Sequence, residues 1–392
     1  MIDRVGEDCC GCAACAQICP NHCIKMKAND EGFLYPFIQT EACINCGVCE
    51  KTCPILGERI AVTADRRQAW AAVNQDRQVL MASSSGGLFA ALSNEIFKKG
   101  GCVFGAAFTA DFRTVRHVMA ESPADLHALQ GSKYMQSEMG NCYLTVKEQL
   151  CRNRWVLFTG TPCQAASLRN YLGREYDKLL VVDLICHGTP SALLWRHYLE
   201  HMEDKLAGKI TAVSFRDKAE GWKNFGMDIT TGAKGKYHCS MKSDPYMQMF
   251  LKNFCLRESC YQCKVKSRGF FSDITMGDLW GADRMLPDLD CTMGVSLSLI
   301  HTEKGRLFFD EVKNGMRVTS VDYDKSVSYN PSLFTSVARP RERDFFYSDL
   351  QILKWSKMVN RYAKDKLITV LKKKIFFRVV RKYQRVIRGK RS

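Results

Sequence analysis

Long uncharged stretches are absent from this sequence, and no apolar run reaches the roughly 18–20 residues that a membrane-spanning helix needs. The charged start, residues 1–8, is followed by no apolar segment like the core of a secretory signal. Low-complexity tracts are also missing. These absences predict a soluble, cytoplasmic protein, and 392 residues are enough for two or three domains.

Acidic residues are scarce at one end of the chain. Residues 354–392 contain fifteen Lys or Arg and one acid, so they carry +14 of the net charge of +16. Their apolar residues recur at intervals of three or four, which predicts a basic amphipathic helix at the end of a mixed segment, residues 316–392. Such a tail suits an anionic membrane at the inner face of the cell, or an acidic partner. A solvated tail is the alternative, and nucleic acid is disfavoured because no nucleic-acid motif is present elsewhere.

Cysteine is the residue that the sequence has in excess. Ten of the twenty cysteines lie between Cys9 and Cys53, where a cytoplasmic chain uses them for metal or redox chemistry rather than disulfides. Two runs repeat the spacing C-x2-C-x2-C-x3-C-P, which is typical of bacterial ferredoxins with two 4Fe–4S clusters. The runs are Cys9, Cys12, Cys15 and Cys19, and Cys43, Cys46, Cys49 and Cys53.

In this pattern the fourth cysteine of each run binds the cluster of the other run. The predicted ligand sets are Cys9, Cys12, Cys15 and Cys53 for one cluster, and Cys43, Cys46, Cys49 and Cys19 for the other. A pair of structural zinc sites is the alternative, although zinc sites rarely repeat four cysteines and a proline at one spacing. Cys10 and Cys23 fall outside the pattern and are interpreted as packing or spare thiols.

The predicted fold class is an α+β ferredoxin-like module, residues 1–56, followed by an α/β domain, residues 66–315, and the basic helical tail. Two segments, 155–172 and 179–199, each run from an apolar strand through a cysteine-containing turn into a helix. This order predicts parallel strands, whose carboxyl ends carry the sites of such sheets. Cys163 and Cys186 fall at those ends, where a helix N-terminus is expected to lower a thiol pKa.

A further cysteine pair, Cys260 and Cys263, has the spacing of half a metal site. Together with Cys163 and Cys186 it supplies four thiolates, which is enough for a third 4Fe–4S cluster. A redox-active dithiol and inert buried thiols are the alternatives.

Small residues precede a predicted helix that starts at Leu88. The segment Ser83-Ser-Ser-Gly-Gly87 offers free N–H groups at the positive end of the helix dipole, which suits a phosphate of a flavin or nucleotide. An ordinary helix N-cap explains the same residues.

Several short segments, taken in order, resemble the beta-subunit family of coenzyme F420 (deazaflavin) hydrogenases and dehydrogenases. The segments are 83–87, 131–137, 160–164, 186–188, 215–218 with Gly221-Trp222, Cys260-x2-Cys263, and 272–281. With the ferredoxin-like module in front, the resemblance covers residues 1–315.

The resemblance implies an iron–sulfur flavoprotein oxidoreductase whose middle domain binds a flavin, FAD in the first place. It implies that Ser84, Ser85, Gly86 and Gly87 contact the flavin phosphates, and that Lys133 and Gln136 lie near the ring or the substrate. His187 is the candidate proton donor near the ring, with a structural histidine at a turn as the alternative. Charged residues 216–218 are expected to form surface pairs.

The predicted function is electron transfer between a donor, 4Fe–4S clusters, a flavin and a small organic substrate. Ferredoxin or reduced deazaflavin is the expected donor. The alternative is an electron-relay subunit that has no substrate of its own and passes electrons to a partner protein. The resemblance does not settle the substrate, because fold does not fix function.

Overall fold

The computed structural model describes residues 1–58, 62, 68–232, 234–266 and 269–365. The strands in this part of the chain are β1 (Ile24–Ala28), β2 (Leu34–Ile38), β3 (Gln68–Asn74), β4 (Cys102–Phe108), β5 (Val115–Ala120), β6 (Ser137–Glu138), β7 (Val156–Gly160), β8 (Leu179–Leu184), β9 (Ile210–Asp217), β10 (Gly226–Thr231), β11 (Lys236–Ser240), β12 (Ile274–Asp278), β13 (Ser296–Ile300) and β14 (Met316–Val321).

The helices in the same residues are α1 (Ala14–Ile18), α2 (Val48–Thr52), α3 (Arg77–Ala82), α4 (Leu88–Lys98), α5 (Pro123–Leu129), α6 (Cys142–Cys151), α7 (Pro162–Leu172), α8 (Ala192–Lys205), α9 (Pro245–Leu251), α10 (Glu258–Tyr261), α11 (Ala282–Met285), α12 (Glu303–Val312), α13 (Tyr323–Ser328), α14 (Arg343–Ile352) and α15 (Trp355–Met358). Short 3-10 helices cover Ile2–Asp8, Thr40–Ala42, Trp222–Asn224, Lys313–Gly315 and Pro331–Leu333, and a π turn covers Val359–Ala363. Within the described ranges, no helix is long and apolar enough to cross a membrane.

Nine strands form one mixed sheet in the order β14-β3-β13-β12-β8-β7-β4-β5-β6. Its centre, β12-β8-β7-β4, is parallel, as the two strand–turn–helix segments predict. The strands beyond this centre add antiparallel pairs on both sides, which the sequence did not predict. The fold is therefore mixed α/β with a large mixed sheet. A separate antiparallel sheet has the order β11-β10-β9.

Buried side chains hold helices on both faces of the large sheet. Along β7, Val156 and Phe158 pack toward one face and Leu157 toward the other, because successive strand residues point to opposite sides. The face under Leu157 is covered by α4, α5 and α12. The opposite face is covered by α6 and α7, and Ala14 of α1 belongs to the same buried cluster. Cys12 and the start of α1 are thus part of the core of the larger domain, while Cys9, Cys15 and Cys19 pack within the module itself.

One edge of the sheet collects the ends of several strands, and we call it the carboxyl edge. The parallel strands β4, β7, β8 and β12 all end there. β3 runs in the same direction as β12, because both are antiparallel to β13. Ser137 opens β6 beside Val115, whose partner Phe108 ends β4 at this edge. The loops singled out in the sequence between residues 83 and 188 therefore meet at one edge.

Residues 1–58, which we call the cysteine module, repeat one backbone conformation. Gly11 and Asn45 take φ angles of 68° and 54°, and Ala13 and Gly47 take 59° and 72°. These residues occupy equivalent places in the two runs, between the first two cysteines and just after the second. The left-handed conformation at both places turns each chain sharply around its cysteines. The two runs are joined by the antiparallel pair β1-β2, whose hairpin turn contains Gly32.

The C-terminal part of the described chain folds back onto the module. Arg343 of α14 donates to both carboxylate oxygens of Glu31 in the module hairpin, at 2.7 and 2.6 Å. Gln351 donates to the Asp30 carbonyl at 2.9 Å. β14 carries the large sheet to Val321, beyond the boundary predicted at residue 315. Most of the segment between the two predicted domains, and the predicted tail from residue 366 onward, lie outside the described residues.

Candidate functional site

The second cysteine run surrounds a cavity of about 130 Å³, which we call the outer thiol site. Its lining includes the predicted ligands Cys43, Cys46 and Cys49 together with Cys19 of the other run. Cys46 is exposed to solvent, and Cys43 and Cys49 are partly exposed. The fifth thiol is Cys23, whose Sγ lies 3.3 Å from Sγ of Cys19.

The first run surrounds a smaller cavity, the inner thiol site. It is lined by the predicted ligands Cys9, Cys12 and Cys15 together with Cys53 of the other run, and by Cys10. The four predicted ligands are all buried. The fold therefore exchanges the fourth cysteine between the runs, as the spacing predicts, while metal binding itself stays a prediction.

Three of the four predicted ligands of the inner site resist ionisation, whereas the pKa of Cys12 is lowered to about 6, chiefly by its hydrogen bond with Cys10. Burial raises the pKa of Cys9 and Cys15, and it raises the pKa of Cys53 to about 11. Thiolates are the metal ligands, so a bound metal would supply the charge that burial otherwise opposes. This donor set fits soft-metal chemistry.

The spacing of the sulfurs does not match a single tetrahedral zinc ion. In the described part of the chain, no three cysteine sulfurs lie within 4.8 Å of one another. A tetrahedral zinc ion at about 2.3 Å from each sulfur would draw them to about 3.8 Å. One group that does meet the distance limit is Asp217, Asp228 and His238, and it is largely exposed.

Cys10 connects the inner site to a third set of thiols. Its side chain hydrogen-bonds with Cys12 and with Cys163 at the start of α7. We interpreted Cys10 as a packing or spare thiol, and its position between two predicted ligand sets was not apparent from the sequence.

The four cysteines predicted for a third cluster are brought together. Cys186, which follows β8, interacts electrostatically with Cys163, Cys260 and Cys263. The expected lowering of the pKa holds for Cys163, where the Cys10 hydrogen bond is the largest cause. The same expectation is wrong for Cys186, because burial raises the pKa of this thiol. Cys186 precedes α8 by several residues and therefore lies at no helix terminus.

Arg257, which the sequence reasoning missed, joins the inner site to the larger domain. Its side chain is 1% exposed. It donates to the carbonyl oxygens of Cys9 and Leu34 at 2.5 and 2.8 Å, and to Oε1 of Gln136 at 3.1 Å. A lone Arg between two cysteines gives no spacing signal, so only the fold reveals this role.

The loop of residues 83–87 lies at the carboxyl edge, before α4. Ser84 Oγ accepts hydrogen bonds from N and Oγ of Ser132, at 2.7 and 2.9 Å. Ser85 donates to the Val295 carbonyl at 2.8 Å. A side chain at Gly86 would lie 2.1 Å from the Ala72 carbonyl oxygen, so close packing on the sheet requires this glycine. Gly87, at φ 82°, is the N-cap residue of α4. The two hydroxyls therefore already have internal partners, and contact of this loop with a flavin phosphate stays a prediction.

Two buried cations stand beside this loop, and the expectation of surface pairs is wrong for both. Lys218 is 3% exposed and donates to the carbonyl oxygens of Leu80, Ser85 and Met293 at 2.6–2.9 Å. Arg216 is 8% exposed and pairs with Asp278 at 2.5 Å. The Nε and Nη2 atoms of Arg216 are buried without a hydrogen-bond partner of good geometry, although the side chain also interacts with Tyr134. Such orphaned donors fit an anionic group of a ligand.

Flat aromatic side chains border Arg216. Trp222 and Trp280 stack with ring centroids 5.0 Å apart and planes inclined by 6°. The Trp222 indole donates to Asp278 at 2.9 Å, so it shares this carboxylate with Arg216. The guanidinium of Arg216 lies 4.3 Å from the ring centre of Phe225. Cations, a helix N-terminus and aromatic rings are together the groups that hold a flavin nucleotide.

The other predicted site residues have internal partners as well. Lys133 caps the end of α5 by donating to the carbonyls of Ala128 and Gln130 at 2.9 and 2.8 Å, and burial lowers its pKa to about 7. His187 bonds Asn253 at 2.7 Å, and burial lowers its pKa. Gln136 donates to the Cys10 carbonyl at 3.0 Å, so the structure places its amide against the inner thiol site.

Comparison with known proteins gives one family. Residues 153–326 match the family model that describes the C terminus of the coenzyme F420 hydrogenase/dehydrogenase beta subunit. The chain matches none of the curated proteins. A chain in a xenon-derivatised structure of the F420-reducing NiFe hydrogenase complex from Methanosarcina barkeri is similar, with 15% identity, 67% of this chain and 89% of that chain covered, and a TM-score of 0.43. The resemblance seen in the sequence is confirmed by the family model for residues 153–326, which are similar to the C terminus of this family of oxidoreductase subunits.

Proposed function

We propose that the chain is an iron–sulfur flavoprotein oxidoreductase that carries electrons between a partner and a flavin at the carboxyl edge. The observation that supports this most is the unbroken series of thiol sites. The outer site opens to solvent, the inner site shares both cysteine runs with it, and Cys10 links the inner site to the third thiol set. Two 4Fe–4S clusters would be held by the module cysteines and a third by Cys163, Cys186, Cys260 and Cys263. Bound clusters supply one-electron transfer.

The residues beside the loop of residues 83–87 would hold the flavin, FAD in the first place. Lys218 fixes the loop by gathering three carbonyl oxygens from separate segments. Arg216 offers two unpaired N–H groups to a phosphate or to the ring. A bound flavin supplies two-electron chemistry and joins it to one-electron carriers. The proposed anion-binding groups would then share one edge of the sheet with Cys163 and Cys186 of the third thiol set.

Proton handling at the edge is proposed for Lys133 and His187. Lys133, with its pKa lowered to about 7 by burial, changes charge in the neutral range. The loop that carries it is tied to Ser84 through Ser132, so its position follows that of the 83–87 loop. β8, which His187 follows, lies three strands from β3, or roughly 14 Å across the sheet. That distance is within the length of a flavin dinucleotide bound along the edge.

The electron donor is proposed to dock over the outer thiol site. Cys46 is exposed there, and the neighbouring Ile44 and Val48 are 61% and 36% exposed. A small electron-carrier protein such as ferredoxin suits an apolar surface next to a redox centre, because such partners bind briefly over small areas. Reduced deazaflavin is the alternative donor. A small organic molecule is the proposed acceptor.

The second candidate function is that of a relay subunit without its own substrate. It is favoured by the internal partners of Lys133 and His187, which already occupy the side chains proposed for proton handling.

Anaerobic purification with iron and flavin quantified per chain tests the proposal. About eight irons and one flavin are expected for two clusters, and about twelve irons when the third set is filled. Eight irons without flavin would support the relay function and overturn the flavin site. Zinc in place of iron would overturn the assignment of both module sites.

A further inference from the structure

The buried arginines of this protein differ in how their charge is balanced. Among the described residues, Arg169, Arg216, Arg257 and Arg343 are less than a tenth exposed. Arg169 pairs with Asp273, Arg216 with Asp278 and Arg343 with Glu31. Arg257 has no carboxylate partner within the described chain, and its hydrogen bonds go to two carbonyls and an amide. Burying an unpaired guanidinium is costly, so its counter-charge must be sought nearby.

The groups near Arg257 that can carry negative charge are thiols from two sites. It interacts electrostatically with Cys9 and Cys12 of the inner site. It interacts in the same way with Cys163 and Cys260 of the third set. Its guanidinium also lies 4.2 Å from the ring centre of Tyr35, which helps to exclude water from this position. One cation therefore stands between two predicted cluster sites.

We propose that Arg257 is a positioning residue that supplies the counter-charge shared by the inner cluster and the third cluster. This inference rests on the proposed function, because it requires clusters at both sites. A cluster gains one negative charge when it is reduced, and a buried cation stabilises the reduced form more than the oxidised form. Arg257 thus raises the reduction potentials of both clusters together and keeps them close in energy.

An arginine suits this position for a geometric reason. Its planar fork reaches Cys9, Leu34 and Gln136 at once, and these belong to the cysteine loop, the module hairpin and the larger domain. A lysine keeps the charge but has no fixed fork, so it separates the electrostatic role from the hydrogen-bonding role.

The test compares Arg257→Gln and Arg257→Lys with Arg343→Gln in the full-length, anaerobically purified protein. Arg343 is a matched control, because it is equally buried and joins the same module hairpin to the domain, but its charge is neutralised by Glu31. Two quantities are measured: the iron content per chain and the midpoint potential of each cluster. The potentials are obtained from a redox titration monitored by electron paramagnetic resonance.

In Arg257→Gln the inner and third clusters are expected to become harder to reduce. At a fixed potential, the ratio of reduced to oxidised cluster should fall at least tenfold. This fall corresponds to a decrease of about 59 mV in the midpoint potential of a one-electron couple. Arg257→Lys is expected to shift the potentials less, and Arg343→Gln least, because the Glu31 carboxylate that it leaves unpaired is 30% exposed and screened by solvent. Equal shifts in Arg257→Gln and Arg343→Gln, equal shifts in the two Arg257 variants, or no shift would overturn the inference.

Failure to assemble is also informative. If Arg257→Gln loses its clusters while Arg257→Lys keeps them at near-native potentials, the need for a cation is supported. If Arg257→Gln and Arg343→Gln both lose them, Arg257 serves docking alone and the inference is overturned. Absence of iron from the unaltered protein would instead contradict the proposed function, so the two failures are distinguishable.

Discussion

The inner and outer thiol sites are built from one sequence pattern but lie in different surroundings. Both take three cysteines from one run and one from the other, and both loops repeat the same left-handed turns. The inner site is buried against α6 and α7, and the outer site opens to solvent at Cys46. Cysteine spacing therefore determines how each site is built. Contacts with the larger domain determine whether a site is buried in the interior or exposed to solvent.

The surroundings also give each site its own fifth thiol. Cys10 points from the inner site toward Cys163, whereas Cys23 stays beside Cys19 at the outer site. The same kind of extra residue thus faces the interior of the protein in one case and its own cluster cavity in the other.

The largest effect is expected from removing a ligand of each site. Cys12→Ser and Cys46→Ser should each lose about four irons per chain. Cys12→Ser should also lower the free energy of unfolding by roughly 2–3 kcal/mol more than Cys46→Ser does, because Cys12 is buried in the shared core. Iron analysis and thermal unfolding of the two variants measure this difference. Equal losses of stability would mean that burial does not distinguish the two sites.

Beyond the inner site, Arg216→Gln should weaken flavin binding about 10–100-fold, since a hydrogen bond to a charged group contributes about 1.5–3 kcal/mol. Titration of flavin-free protein with FAD measures the effect. Riboflavin, which lacks phosphate, should be affected less if the guanidinium binds a phosphate. Arg113→Gln, at a surface pair with Glu200 and Glu203, serves as the control. Unchanged affinity in Arg216→Gln would contradict this role.

Lys133 is expected to give flavin reduction a pH dependence. Burial lowers its pKa to about 7, so the ammonium is present below that pH and is lost as the pH rises. If the charge stabilises the reduced ring, the rate should fall about tenfold per pH unit above that value. Lys133→Arg, which stays charged, should abolish this fall in rate at high pH. Stopped-flow reduction from about pH 5.5 to about pH 8.5 checks it, and an identical profile in the variant would leave Lys133 as a helix cap only.

The smallest effect is expected from the two extra thiols. Cys10→Ala and Cys23→Ala should each keep the full iron content, because neither residue belongs to a predicted ligand set. Iron and acid-labile sulfide per chain measure this. Loss of about four irons in either variant would make that cysteine a ligand and would change the assignment of its site.

Much of the local structure was predictable because it depends on short-range patterns. The spacing of the cysteine runs predicted the exchange of Cys19 and Cys53 between the sites, and the apolar segments predicted the strand–helix pairs β7–α7 and β8–α8. The order of strands and helices predicted that the loops of Cys163 and Cys186 share the carboxyl edge. Iron, flavin, donor, substrate and cellular location stay predictions.

What could not be predicted depends on contacts between distant segments. Arg257, Arg216 and Lys218 have partners far away along the chain, and charge alone gave the wrong expectation of exposed pairs for two of them. Cys10 shows the same limit, because its contact with Cys163 arises only when the module packs on α7.

The ion pair between Glu31 and Arg343 has a consequence for biosynthesis. The two residues are 312 positions apart, so the module leaves the ribosome long before its anchor does. At about 5–20 residues per second, the delay is roughly 16–60 s. During that interval the module hairpin is without the α14 contact, and only earlier segments such as α6 and α7 are available to cover the first cysteine run. The last contacts of the module can therefore form only after translation has reached α14.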